Sequence, residues 1–66
     1  MIDTNRLRGE IVAKGLTIGQ VATTLGVSRN TFARWLKRGV IGSDDIEKLI
    51  EILEIKDPAA IFFVKR

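Results

Sequence analysis

Gly26 sets the tightest limit on how this chain can fold. It stands four residues after Ala22 and directly before Val27-Ser28, and it separates two segments that each read as a helix start. Upstream, Thr17-Ile-Gly-Gln20 has the form of a capping box. The Thr17 hydroxyl can accept the Gln20 backbone N–H while the Gln20 side chain reaches back. Leu16 and Val21 occupy the positions where a hydrophobic staple fixes the approach of the chain. This spacing predicts a helix from Ile18 to Leu25, closed by Gly26. Ser28 then caps a second helix over about 28–38, and Val27 with Phe32 repeats the staple. Turning so sharply between helices requires a residue free to adopt φ > 0. Ala22 is small enough to let the two helices approach.

The rest of the chain is punctuated in the same way. Asn5–Lys14 places Leu7 and Ile11 at i, i+4, and Gly15 offers a stop. Phe32, Trp35 and Leu36 make one apolar face of the second capped helix, opposite Arg29, Asn30, Ala33, Arg34 and Lys37. Gly39-Val-Ile-Gly42 reads as a connector. Ser43, Asp44 and Asp45 read as a cap followed by carboxylates at the favourable end of a helix dipole. Ile46, Leu49, Ile50 and Leu53 form a stripe at i, i+3, i+4, i+7 that leaves Ile52 and Ile55 outside it. Asp57-Pro58 would cap and open a fifth, short helix. The expected fold is all-α: one compact four-to-five-helix domain over residues 1–66. Val21, Leu25, Val27, Phe32 and Trp35 should supply the core shared by the central pair.

Composition removes several classes of function. The chain has 66 residues, no cysteine and no histidine, so disulfides, cysteine-based metal sites and the commonest acid–base chemistry are absent. Asp44, Asp45 and Glu47 resemble a metal-binding cluster, but a first helical turn explains them without one. No metal or cofactor is expected. Met1–Arg8 carries three charges and no apolar run, and the longest apolar stretch is Ala59–Val64, so neither a signal peptide nor a membrane span is expected. A cytoplasmic location follows as an expectation. Charge is uneven. Residues 1–42 carry seven basic and two acidic groups, whereas residues 43–66 carry four basic and six acidic. No acidic residue lies between Ile11 and Ser43. A basic half suggests a polyanionic partner, although a solvated face with chance clustering is the plain alternative.

Two short capped helices around a tight turn have the spacing of a helix-turn-helix, whose second helix enters the DNA major groove. Leu16-Thr17, Val21-Ala22, Leu25-Gly26-Val27-Ser28, Thr31-Phe32 and Arg34-Trp35 resemble the Cro/lambda-repressor (XRE-type) helix-turn-helix family. Ile52-Leu53 and the segment from Asp57 to Phe63 are similar to short phage-encoded regulators of that family. The resemblance implies a five-helix fold, operator DNA as ligand and usually a dimer. Two positions depart from it. The family commonly has Gln where this chain has Ile18, and often Glu where it has Leu36.

On this reading Ser28, Arg29, Asn30, Thr31, Ala33 and Arg34 are the base-reading candidates. The arginine fork matches guanine O6/N7, asparagine matches adenine N6/N7, and Ala33 lets the helix sit close. Thr17, Gln20, Lys37 and Arg38 are the phosphate candidates. Each has a plainer role available: the cations as a solvated face, Ser28 as a cap, Trp35 as core rather than a base-stacking platform. The expected function is a sequence-specific double-stranded DNA-binding transcription regulator of the phage Cro/repressor type, with no small-molecule effector. Alternatives are a protein-interaction module or an antitoxin-type autorepressor on the same fold. An enzyme is disfavoured, because no base stands beside a Ser or Thr at recognisable spacing. So small a chain gains from a partner's surface. A weak homodimer is therefore expected, with Ile52, Phe62, Phe63 and Val64 as interface candidates and one of the two phenylalanines turned inward.

Overall fold

The computed structural model describes residues 2–63. Five helices occupy them: α1 (Thr4–Ala13), α2 (Ile18–Leu25), α3 (Arg29–Arg38), α4 (Ser43–Leu53) and α5 (Pro58–Phe62). The all-α expectation holds, and α2 matches its expected bounds. α1 begins and ends one residue earlier than expected. The reason is Asp3, whose carboxylate accepts the Arg6 N–H at 3.1 Å and caps the helix.

The first four helices end alike. A left-handed residue follows each, and the next amide donates back to a carbonyl five residues earlier. The pairs are Leu16 to Ile11 (3.1 Å), Val27 to Ala22 (3.0 Å), Val40 to Trp35 (3.3 Å) and Ile55 to Ile50 (3.1 Å). These bonds satisfy carbonyls that a helix end otherwise leaves open. Gly26 takes the left-handed place after α2 at φ 79°. Glu54, at φ 51°, takes it after α4. In each case an apolar residue follows, but only Leu16, Val27 and Ile55 return to the core. Val40 is among the exposed apolar residues.

Two expected caps differ. Ser43 lies inside α4, and Gly42 is the N-cap with no side-chain hydrogen bond. The extended backbone at Gly42 places the helix start one residue earlier than the hydroxyl signal suggested. Asp57 precedes α5 as expected, but its side chain makes no capping bond; Pro58 at the first helical position lacks an N–H and has a preset φ.

The core collects Leu7 and Ile11 from α1, Val21, Ala22 and Leu25 from α2, and Phe32 and Leu36 from α3. Leu49 and Leu53 from α4 join Ile61 and Phe62 from α5. Trp35 and Val27 pack against this core while remaining partly exposed. Ile46 and Ile50 of the α4 stripe do the same. Ile55, beyond that stripe, is buried because the turn at Glu54 folds it back under α4. Ile2 and Ile41, both in irregular segments, are buried as well. The Asp3 N–H donates to the Ile61 carbonyl at 2.7 Å and ties the start of α1 to α5. No described polar or charged residue is buried, so the interior is wholly apolar and leaves the polar chemistry to the surface.

Candidate nucleic-acid interface

The local geometry of α2 and α3 follows from their caps. Thr17 N–H donates to Gln20 Oε1 at 2.9 Å, and Gln20 N–H donates to Thr17 Oγ1 at 3.1 Å. The capping box is complete. It engages the Thr17 hydroxyl and the Gln20 carbonyl oxygen locally, while the Gln20 amide NH₂ keeps two donors on an exposed residue. Thr23 and Thr24 hydroxyls donate to the Gly19 and Gln20 carbonyls, each at 3.0 Å, and so serve their own helix. Across the turn, Ser28 Oγ accepts the Thr31 N–H at 3.1 Å and donates to Thr31 Oγ1 at 2.8 Å. The cap expected of Ser28 is therefore present.

α3 divides sharply into two faces. Phe32 and Leu36 are buried behind it, and Trp35 meets Phe32 edge-on with ring centroids 6.3 Å apart and planes at 87°. This geometry is the favourable one for an aromatic pair. It packs Trp35 against the core while leaving it partly exposed. Leu36, at the position that departs from the family pattern, extends the core. Ile18, the other departure, is partly buried against the core. Arg29, Asn30, Arg34, Lys37 and Arg38 are exposed, with Ala33 and Thr31 partly exposed among them. The structure thus gathers Ser28, Arg29, Asn30, Thr31, Ala33 and Arg34 on the first two turns, and Lys37 and Arg38 at the end of the same helix.

The chemistry of this surface is cationic and hydrogen-bonding. The one salt bridge among the described residues is Lys14 to Glu54 at 3.2 Å, away from α3. None of the α3 cations is neutralised by a carboxylate there. Asp44 and Asp45 lie in the first turn of α4, as their dipole reading required.

One residue escaped sequence reasoning. A Cβ on Gly19 would lie 3.6 Å from Arg29 Cδ, so the Arg29 stem leans back across the turn onto α2. The signal for this was only a glycine in a helix's first turn.

The model of the Homeodomain-like domain family matches residues 10–42, from the second half of α1 through α2 and α3 to the connector before α4. That is half of the chain. The chain belongs to this homeodomain-like helix-turn-helix family. No curated protein and no solved structure matches it. In this homeodomain-like domain, α2 and α3 are the two helices on either side of the turn. DNA binding is the activity that the family indicates. No described helix is long and apolar enough to cross a membrane.

The expected interface between copies is divided by the fold. Phe62 is 3% exposed and Phe63 is 65% exposed. Phe62 is therefore corrected from interface candidate to core residue: the last turn of α5 directs it inward beside Ile61, and the chain leaves the helix before Phe63. Ile52 packs partly against the core. Val64 lies outside the described residues.

Proposed function

We propose that this homeodomain-like domain is a sequence-specific transcription regulator that reads operator DNA with α3 in the major groove. The observation that carries the reading is the two-faced recognition helix. Phe32 and Leu36 anchor it from behind, and the first two turns of its outward face offer two arginines, an asparagine and a small residue without one carboxylate. Asn30 and Arg34 suit adenine and guanine edges, and Ala33 permits close approach. Thr17, Gln20, Lys37 and Arg38 hold phosphates and set register. The residues Leu16-Thr17, Val21-Ala22 and Leu25–Ser28 favour a Cro/lambda-repressor type of regulator, as encoded by phages and acting in the cytoplasm. Exposed Phe63 supports a weak homodimer. The family, typically a non-enzymatic DNA-binding domain, fits a reading without catalysis.

Selection of bound duplexes from a random pool tests this directly. The expected outcome is one enriched motif, repeated with half-sites about 34 Å apart. Retention of duplexes in proportion to length alone, without enrichment, would overturn sequence-specific reading.

A further inference from the structure

Arg29 is the first residue of α3, a place from which a side chain can reach either the groove floor or the helix before it. Its stem takes the second course. Arg29 Cδ lies 3.6 Å from the point where a Gly19 Cβ would sit, and Thr17 Oγ1 lies 3.9 Å from that same point. The arginine stem and the capping hydroxyl therefore flank one bare spot on α2. No carboxylate draws Arg29 there, since the sole ion pair among the described residues is elsewhere. Gly19 does not have the positive φ of the turn glycines, so its backbone does not demand glycine, which is otherwise disfavoured inside a helix. The small residue leaves a lane in which the arginine stem lies, one that a single methyl would only touch.

In helix-turn-helix docking the second helix lies in the groove while the first crosses the DNA backbone. A side chain that leans from α3 onto α2 thus points at the strand, not at base edges. Resting on the DNA reading above, we propose that Arg29 is a phosphate contact and that a small residue at position 19 leaves its stem the room to aim there. Thr17 joins it at the same strand. Base discrimination then falls to Asn30, Ala33 and Arg34.

The test uses the intact chain, the duplex enriched by selection, a random duplex of equal length and a salt series. Arg29→Ala should weaken both duplexes by the same factor and reduce the salt slope by about 0.9. Its deficit relative to the unmodified protein should therefore shrink about 3.5-fold between 50 and 200 mM salt. Gly19→Leu, which fills the lane, should reproduce that behaviour, and combining both changes should add no further loss. Gly19→Ala should bind normally, because its methyl would make only ordinary contact with the stem. A tenfold fall in the ratio of selected to random affinity in Arg29→Ala overturns the assignment, as does an unchanged slope. Circular dichroism identifies a Gly19→Leu protein that fails to fold, in which case Arg29→Ala decides the role of Arg29 and Gly19→Val decides that of Gly19. An unmodified protein that holds neither duplex overturns this proposal together with DNA binding itself, whereas binding with normal Arg29→Ala slopes overturns only the former.

Discussion

Glu54 carries backbone strain that no other described residue shares. It is the one non-glycine among them at positive φ, 51°, a conformation that crowds Cβ against the following carbonyl. Glycine there would keep the turn that buries Ile55. Glu54→Gly also removes the Lys14 pair at 3.2 Å, but a pair between exposed side chains contributes little. The expected net gain is about 0.5–1 kcal/mol. For a chain of this size each kcal/mol raises the melting temperature by about 4–8 °C. A thermal melt that falls instead would show that the cross-link to α1 outweighs the strain. The residues proposed to meet DNA should act differently, through binding and not folding. Arg34→Ala should cost about 1–3 kcal/mol on the selected duplex and little on random DNA. Lys37→Ala should weaken both alike and lower the salt slope by about 1. Titration of both duplexes at two salt concentrations separates these roles, and intact discrimination in Arg34→Ala would remove it from the base-reading set.

Among the elements, α2 and α3 pack most extensively against each other, and Ala22 lies fully buried in α2. Extra carbon at that position has to push α3 outward or strain its own rotamer. Ala22→Leu should therefore destabilise the fold by about 1–3 kcal/mol, read as a lower denaturation midpoint in urea. A variant that folds as firmly but loses duplex binding would mean that the helices separate without strain. Wild-type stability combined with unchanged binding would show that the pair has room to spare. The elements were legible because their boundaries are chemical. Thr17, Ser28 and the glycines act within a few residues, so α2 and the start of α3 could be placed from spacing alone. Ser43 misled for the same reason: a hydroxyl beside two carboxylates signals a helix start, yet Gly42 supplies the extended residue before the first turn.

For the whole molecule, size and surface lead to one question. The described chain measures 30 × 22 × 19 Å, while half-sites read by a symmetric pair lie about 34 Å apart. One copy thus suits one half-site. Phe63 is 65% exposed, and covering a phenylalanine is worth about 1.5–3 kcal/mol. Two symmetry-related copies would give a modest dimer that tightens when both recognition helices are engaged. Sedimentation at high micromolar concentration should show self-association of the intact chain and its loss in Phe63→Ser. A strictly monomeric intact protein that binds one molecule per site would overturn the dimer.

What the sequence determined by itself was the local grammar of the chain: the helices, the central turn at Gly26, the inward stripe of each long helix and the cationic outward face of α3. Each of these rests on residues within one or two turns of one another. Tertiary structure decided the rest, because it depends on segments distant along the chain. Ile2, Ile41 and Ile55 lie outside regular helix, where no periodicity marks them as core. They become buried only when other parts of the chain close over them, as at the Asp3–Ile61 hydrogen bond. The choice between Phe62 and Phe63 is of the same kind, since adjacent identical residues differ only in which way the end of α5 leaves the core. The lean of the Arg29 stem was likewise invisible in the sequence, because it rests over a bare spot ten residues earlier that only the packing of α2 on α3 brings beneath it.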